Sequence, residues 1–248
     1  MFSKCAAWVG GGWLVGMMLT ASAMAANEVR PPIDSSVGKS PIGFSELAMM
    51  RPDLMNPVIL PGTPPRLSDD NAALDPKQFF YIYRDRNALQ NHFIPSGWMG
   101  DYGDLSIDDA SREDPADGKT CFKITYRATV SQGFGWAGIY WQTPENNWGD
   151  KNGGFDLTGV KRLTFWARGA KGGEVIGEFK VGGIRGENED SGSVRIGPIT
   201  LSREWTHYVI DLADVDLSHI VGGFAWAASY DNNPNGMTFY LDEIRFER

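Results

Sequence analysis

Short apolar runs that alternate with polar positions dominate the chain from about residue 78 onward, and Gly, Asn and Asp separate them. Phe122, Ile124 and Tyr126 share one face of such a run, because successive side chains of a strand point to opposite sides. On this basis strands are predicted at residues 79–84, 121–129, 135–142, 162–168, 175–182, 194–200, 206–212, 221–227 and 237–246. The pattern predicts an all-β protein with a β-sandwich or jelly-roll fold. Helical periodicity is almost absent, which excludes the α/β folds.

The last predicted strand changes phase in its middle. Phe239 and Leu241 are in phase with each other but out of phase with Ile244 and Phe246. A β-bulge at Asp242 and the glutamate after it would place all four apolar residues on the core face, since a bulge adds one residue to a strand. It would also aim a carboxylate at the edge of the sheet.

The first 26 residues are typical of an export signal. A short basic start is followed by an apolar stretch, and Ala23 and Ala25 fit the small-x-small rule for cleavage. We therefore expect a secreted or periplasmic protein with no membrane contact once the signal is removed. The apolar stretch is also long enough to span a bilayer, so a retained anchor remains an alternative.

Prolines recur through residues 27–76, which predicts a linker or arm rather than a helix or a central strand. Several of its residues, among them Val58, Ile59 and Leu60, are apolar enough for part of the arm to dock on the domain. The predicted organisation is therefore a signal peptide at 1–26, an arm at 27–76 and a β-sandwich domain at 77–248.

The net charge limits the classes of ligand that the protein is expected to bind, and the cysteine content limits its disulfides. The net charge is −8 and no basic cluster occurs, which argues against nucleic acid and anionic lipid and favours neutral ligands or divalent cations. Cleavage after residue 26 would leave Cys121 as the only cysteine. No intramolecular disulfide would then be possible in the mature protein.

An aromatic cluster contains Trp136, Tyr140, Trp141 and Trp148 together with the amide of Gln142. A sugar ring offers C–H groups that stack on such aromatic faces and hydroxyls that bind amides and carboxylates, but large aromatics also fill cores and protein interfaces. Strand alternation divides the set, because Trp136, Tyr140 and Gln142 fall on one face and Trp141 on the other. The first three are ligand candidates, Trp141 is assigned to the core, and Trp148 is a candidate at a loop tip.

Further ligand candidates lie in other segments. Trp98 occupies a predicted Gly-rich turn, where it either binds ligand or plugs the end of the sandwich. Trp226 lies on an alternating run and suits the core and a ligand platform equally. Asp231 and Asn232 follow in the next turn, where they could reach sugar hydroxyls.

Residues 156–168, 204–212 and 239–244 carry three motifs in a characteristic order. They read Asp-Leu-x-Gly-x-x-x-Leu-x-Phe-Trp, then Trp-x-x-Tyr, then Tyr-Leu-Asp-acidic-Ile. In this order they resemble carbohydrate-binding modules of the galactose-binding-like β-sandwich type, nearest to family 11 and its relatives. The resemblance covers about residues 78–248. It implies that a glycan is held by stacked aromatics and polar side chains on a concave sheet or at loop ends.

The resemblance also implies a structural calcium near the last strand, with Asp242 as a usual ligand. Calcium takes about six to eight hard oxygen ligands, and the predicted bulge would present one carboxylate. Further ligands would come from Asp85 after the first strand, or from the acidic turn at Asp108 and Asp109. The sequence does not decide between these sources.

Catalytic signatures were sought and not found. The three histidines show no metal-ligand spacing, and neither Gly-x-Ser-x-Gly nor His-Glu-x-x-His occurs. No local carboxylate pair suited to glycoside hydrolysis lies within a predicted strand. We therefore expect an exported, non-catalytic module that binds a polysaccharide or oligosaccharide. Two alternatives stay open: docking of an envelope or exopolysaccharide-associated protein partner, and a jelly-roll glycan-active enzyme.

Overall fold

The computed structural model describes residues 58–60 and 78–248. The predicted signal peptide, and the predicted arm apart from residues 58–60, lie outside the described residues. Within the described part, no helix is long and apolar enough to cross a membrane.

The described residues form short strands with a single 3-10 turn at Tyr102–Asp104. The strands are β1 (Val58–Leu60), β2 (Phe79–Tyr83), β3 (Ile94–Gly100), β4 (Leu105–Ser111), β5 (Cys121–Tyr126), β6 (Trp136–Gln142), β7 (Arg162–Gly169), β8 (Val175–Ile176), β9 (Glu178–Gly182), β10 (Ser193–Ile196), β11 (Ile199–Thr200), β12 (Thr206–Asp211), β13 (Gly222–Ser229) and β14 (Met237–Glu247).

Two antiparallel sheets enclose the core. The larger sheet runs in the order β1-β12-β7-β14-β5-β4, and β2 pairs with the second half of β14. The smaller, five-stranded sheet runs β10-β9-β13-β6-β3, and β8 pairs with β11 separately. The prediction of an all-β sandwich is confirmed.

Aromatic contacts join the two sheets through the core. The Trp226 ring lies 4.9 Å from that of Phe239, and the Phe165 ring lies 5.2 Å from that of Phe224. Both contacts run between the five-stranded sheet and the seven-stranded sheet. Buried aromatics of this size contribute strongly to folding free energy, so the core itself accounts for the stability of a domain without a disulfide.

Each predicted run forms strand, but two of them are divided. The run at 175–182 becomes β8 and β9 on either side of Gly177, and the run at 194–200 becomes β10 and β11 on either side of residues 197–198. Gly197 has a φ of 135°, a conformation that residues other than glycine rarely adopt. β10 ends just before this residue, and β11 pairs with β8 instead of with β9.

Two segments predicted as turns are strands instead. The Gly-rich segment that contains Trp98 is β3, which pairs with β6 at the edge of the smaller sheet. The segment that contains Asp108 and Asp109 belongs to β4, which pairs with β5 at the edge of the larger sheet. Pro95 and the acidic residues are tolerated because these are edge strands, where fewer backbone groups must pair.

The predicted bulge in β14 is confirmed. The pairing register with β7 shifts between Asp242 and Arg245, and Glu243 has a φ of 47°. The four apolar residues on either side of the bulge all lie in the main core: Phe239, Leu241, Ile244 and Phe246. Because of the bulge, β14 pairs first with β5 and then with β2.

Candidate functional site

One face of the five-stranded sheet points away from the main core. In β6, Ile139 and Trp141 pack in the core between the sheets, whereas Tyr140 belongs to a separate small cluster with Ile184 and Ala225. The predicted division of Tyr140 from Trp141 by strand alternation is therefore confirmed. We call the side that carries Tyr140 the outer face.

The centre of the outer face is built from small residues. Strand register places Ala225 and Gly97 on either side of Tyr140, and Ala227 on one side of Gly138. All four small residues are buried, and the Met99 Cε lies 3.0 Å from where a Cβ at Gly138 would stand, so neighbouring side chains pack over the small residues. We call Gly97, Gly138, Ala225 and Ala227 the floor.

Tyr140 and Trp148 frame the floor at one end. Their rings meet edge to face with centroids 6.0 Å apart. The Tyr140 hydroxyl donates a hydrogen bond to the Gly182 carbonyl at 3.1 Å, and burial raises the pKa of Tyr140 well above its usual value. Tyr140 is therefore a neutral, fixed support, whereas Trp148 is only partly buried and has ring surface available.

The buried side chain of Asn147 fixes the loop that carries Trp148. Its amide nitrogen donates to the Lys151 carbonyl at 2.8 Å, and its amide oxygen accepts from the Gly149 and Lys151 amides at 3.0 and 3.1 Å. All four hydrogen-bonding directions serve the loop backbone once the longer bond to Thr143 is included. The aromatic platform is thus held in place before any ligand arrives.

Gln142 serves the same loop, so the prediction that it binds ligand is wrong for this structure. The side chain is fully buried. Its amide nitrogen donates to the Asn147 carbonyl at 2.9 Å, and its oxygen accepts from the Ser96 hydroxyl at 3.1 Å. The amide is already satisfied and has no access to solvent.

A second set of aromatics lies at the other end of the floor. Trp136 begins β6, and the Tyr230 amide donates to the Gly135 carbonyl at 2.8 Å. Phe134 and Tyr230 are unusually exposed for aromatic residues, at 60% and 41%. Exposed aromatics next to each other in this way are a feature of binding surfaces.

The loop that carries Phe134 is also fixed by a buried polar residue. The Asp101 carboxylate accepts hydrogen bonds from the amides of Gln132, Phe134 and Gly135 at 2.7, 3.1 and 2.7 Å. Sequence reasoning overlooked Phe134 and did not rank Tyr230 as a candidate. The available signal was a large aromatic between Gly133 and Gly135, where no core strand is predicted.

The predicted polar candidates Asp231 and Asn232 are exposed in the turn after β13. They follow Tyr230 directly, so the turn adds oxygen and amide groups beside the second aromatic set. Trp136 itself is only 6% exposed, at the start of β6 opposite Ser229. The structure therefore brings Trp136, Asp231 and Asn232 to one end of the floor and Tyr140 and Trp148 to the other.

The tryptophans Trp98 and Trp226 do not face this surface. Trp226 is fully buried in the main core, so the prediction that it binds ligand is wrong for this structure. Trp98 pairs with Ile139 and packs against the same core from the edge strand, which favours the plug over the ligand platform.

Charged side chains line one side of the floor, on β9 and β10. Arg195 forms an ion pair with Glu178 at 3.2 Å. The Lys180 ammonium lies 5.9 Å from the centre of the Tyr140 ring. Burial lowers the pKa of Lys180, and the charge of Arg195 acts in the same direction.

The predicted calcium ligand Asp242 lies at the bulge in β14, a strand of the larger sheet, whereas the floor residues belong to the smaller sheet. Asp242 is fully buried. Its carboxylate accepts hydrogen bonds from the amides of Ala116, Asp117 and Glu243 at 2.8, 3.2 and 2.9 Å. Burial and the adjacent Glu243 raise the pKa of Asp242 well above its usual value. Both of its oxygens are therefore already engaged by backbone N–H groups.

The other predicted calcium ligands have separate partners. Asp85 accepts from the Lys119 and Thr120 amides, both at 2.8 Å. Asp108 accepts from the Ala110 amide at 2.9 Å, and Asp109 lies 3.6 Å from Arg86. Among the described residues, no group of three or more His, Cys, Asp or Glu is arranged to hold a metal ion.

One carboxylate oxygen beside the bulge is of the chemical type that binds cations. Glu243 pairs with Arg245 through one carboxylate oxygen at 3.0 Å, while its Oε1 is buried with no hydrogen-bond partner among the described residues. Burial raises the pKa of Glu243 to about 7. Two adjacent buried acids are costly when both are ionised, and a proton or a bound cation would relieve that cost.

Comparison with solved structures finds carbohydrate-binding modules of similar architecture. A family 30 carbohydrate-binding module matches with a TM-score of 0.46 and 16% identity over 68% of this chain and 87% of that chain. The family 30 module of a cellulosomal cellulase of Clostridium thermocellum matches with a TM-score of 0.45 and 17% identity over 68% of this chain and 96% of that one. A family 11 module from Clostridium thermocellum, in complex with a β-1,3-1,4-mixed-linked tetrasaccharide, matches with a TM-score of 0.40 and 14% identity over 61% and 87%.

Neither a protein-family model nor a curated protein matches the chain. At TM-scores below 0.5 and identities below 20%, these similarities do not identify what the chain binds. Since unrelated functions share such folds, a function for this chain has to come from its own side chains.

Proposed function

We propose that this protein binds a carbohydrate chain along the outer face and does not modify it. The observation that carries the proposal is the exposed aromatic surface at both ends of the outer face, from Trp148 at one end and from Phe134 and Tyr230 at the other. A sugar ring presents C–H groups that stack on such aromatic faces.

The dimensions suit an extended ligand. Trp136 and Tyr140 are four residues apart on β6, which corresponds to roughly 13 Å at about 3.3 Å per residue. Trp148 extends the surface beyond Tyr140, and Phe134 extends it beyond Trp136. A surface of this length accommodates more than one sugar ring, which favours an oligosaccharide or polysaccharide over a monosaccharide.

The polar groups around the floor favour binding over hydrolysis. Glycoside hydrolases use a pair of carboxyl groups on either side of the scissile bond. On the described strands of the outer face the carboxylate is that of Glu178, and it is paired with Arg195 at 3.2 Å. That carboxylate is already engaged by the Arg195 guanidinium, and the described strands of this face carry no second carboxyl group to act with it.

The same proposal includes export of the protein and a structural calcium. Residues 1–26 carry the pattern of an export signal, which would deliver the module to extracellular or periplasmic glycans. The unpartnered oxygen of Glu243 beside Asp242 supports a structural calcium at the bulge, away from the glycan.

The test is affinity electrophoresis of the mature protein against soluble polysaccharides, namely mixed-linkage β-glucan, xylan, galactomannan and polygalacturonate. We expect retardation by at least one of them. Trp148→Ala and Phe134→Ala should each weaken that retardation about tenfold or more, because each removes a stacking surface worth on the order of 1–2 kcal/mol.

Leu89→Ala is the matched control, because Leu89 is 97% exposed in the loop between β2 and β3. It should leave retardation unchanged. Wild-type protein that is retarded by none of the polysaccharides, or Trp148 and Phe134 variants that bind as well as the Leu89 variant, would contradict the proposal.

A further inference from the structure

The outer face contains a lysine whose ammonium group is unpaired among the described residues. Lys180 is only 8% exposed, and its ammonium group makes no hydrogen bond or ion pair with the described residues. The ring of Tyr140 lies 5.9 Å from the ammonium nitrogen. The nitrogen is not one of the buried atoms that lack a hydrogen-bond partner, so it reaches solvent while the stem of the side chain is buried, and an anion can meet it there.

The backbone is shaped to hold the ammonium in this place. A Cβ at Gly183 would lie 2.6 Å from the Lys180 nitrogen, and the φ of Gly183 is 96°. Any other residue at this position would be strained by the backbone conformation, and its Cβ would displace the ammonium group. The absence of a side chain here leaves the Lys180 nitrogen beside the Tyr140 end of the floor.

Neighbouring carboxylates are engaged elsewhere. Glu178 is paired with Arg195 at 3.2 Å. Asp190 is buried and accepts hydrogen bonds from the backbone amides of Ile184, Val221 and Gly222. Burial lowers the pKa of Lys180, and the charges of Glu178 and Asp190 raise it in part.

We propose that Lys180 binds the acidic group of an anionic sugar residue, a carboxylate or a sulfate ester, while the ring of that sugar or its neighbour lies against Trp148. This inference rests on the proposed glycan binding and specifies its ligand as an acidic glycan. The specificity is local, because the chain as a whole carries a net charge of −8 and does not attract anions in general. Beyond a Debye length of about 8 Å at physiological salt, that overall charge is largely screened.

The experiment compares matched ligands that differ only in charge. Titration calorimetry would use oligogalacturonate against its methyl ester, and κ-carrageenan oligosaccharide against its desulfated form. We expect the charged member of one pair to bind at least tenfold more tightly than its neutral counterpart. Preference within the first pair identifies a carboxylate, and preference within the second identifies a sulfate ester.

Lys180→Met should abolish that preference and leave the affinity for the neutral member unchanged. The variant should melt at about the same temperature as the wild type, because methionine keeps the apolar contacts of the lysine stem. In the wild type, the Lys180 pKa measured by NMR should rise when the charged ligand binds, because an anion stabilises the ammonium form.

The outcomes separate this inference from the proposed function. Wild-type protein that binds neutral glycans as tightly as their acidic counterparts, or an acidic preference that survives Lys180→Met, overturns the role of Lys180 and leaves glycan binding intact. A wild type that binds none of the four ligands, and none of the neutral polysaccharides above, overturns both.

Discussion

Tryptophans that look alike in the sequence have different environments in this protein. Trp141 and Trp226 are fully buried between the sheets. Trp148 projects from a loop fixed by Asn147 and is only partly buried. The three side chains therefore contribute to different properties, the first two to folding and the third to the proposed binding surface.

Replacement of Trp226 by alanine should destabilise the fold without a direct effect on ligand contact. The loss of a buried tryptophan costs about 3–5 kcal/mol, since the removed contacts leave a cavity. Trp148→Ala should cost about 1 kcal/mol or less. Urea denaturation of both variants measures the difference, and equal losses of stability would contradict the assignment of Trp148 to the surface.

Strand alternation was sufficient to separate Tyr140 from Trp141, because that pattern is local. It could not show whether Gln142 binds ligand or supports a loop. The Gln142 amide is hydrogen-bonded to Ser96 and to the backbone of Asn147. Ser96 lies 46 residues away in the sequence. A side chain satisfied by such distant partners cannot be distinguished from a ligand-binding one by its position in a strand.

At the scale of elements, two loops beside the outer face are joined by one histidine. His219 Nδ1 lies 2.8 Å from the Glu189 carbonyl oxygen, and its Nε2 lies 2.8 Å from the Gly153 carbonyl oxygen. Both acceptors are carbonyls, so both ring nitrogens must donate for both bonds to form. Only the imidazolium ion has two N–H donors, and these bonds raise the pKa of His219 above its usual 6.5.

The stability that the two His219 hydrogen bonds contribute should therefore depend on pH. A pKa that is higher in the folded state than in the unfolded state adds stability below the unfolded value, and this stability is lost as the pH rises through the folded value. The charge of Asp190 acts in the same direction as the carbonyls. We expect the melting temperature of the wild type, relative to His219→Gln, to fall between pH 6 and pH 8.

Differential scanning calorimetry of the two proteins at several pH values measures this effect. His219→Gln is a suitable reference because glutamine keeps a polar side chain but does not titrate. The protection factors for amide hydrogen exchange in residues 150–154 and 185–191, which correct for the intrinsic rise of exchange with pH, should fall over the same range in the wild type. A difference in melting temperature that is constant with pH would mean that the ring is neutral and makes one bond only.

The strands themselves were predicted with uneven success, and particular residues explain why. The phase change in β14 predicted its bulge, since Phe239 and Phe246 could not otherwise share the core. In contrast, β3 contains Pro95 and Gly97, and β4 contains Asp108 and Asp109, which are typical of turns. These edge strands are fixed by pairing with β6 and β5, which a local pattern does not reveal.

At the scale of the whole molecule, the two faces of the sandwich have different roles. The larger sheet carries the bulge and its buried acids, and the smaller sheet carries the floor and its aromatics. The sequence predicted the sandwich, because the alternation recurs in every run. It did not predict which residues meet on the outer face, because that depends on how β3, β6 and β13 pair across the sheet.

A structural calcium would show itself as a change in global stability. If calcium binds at Asp242 and Glu243, its addition should raise the melting temperature and a chelator should lower it. A ligand present at about 100 times its Kd stabilises by about 2.7 kcal/mol. Asp242→Ala should remove the calcium-dependent increment, whereas Asp108→Ala, at an exposed position on β4, should retain it.

Melting curves measured with calcium and with a chelator test whether a structural calcium binds. Curves that coincide would exclude a structural calcium, and the pair of buried acids would then be relieved by a proton instead. Glycan binding on the other sheet would be unaffected by that result.

The measurement that most directly tests glycan binding at the outer face is NMR of the tryptophan side chains during titration with the polysaccharide fragment that binds best. We predict that the indole signal of Trp148 shifts on binding, while those of Trp141 and Trp226, in the core, change little. The Trp205 indole lies on the larger sheet, where its nitrogen donates to the Asp114 carbonyl at 2.8 Å, and it should also stay unchanged. A shift confined to Trp205, with none at Trp148, would place the ligand on the wrong sheet and contradict the account.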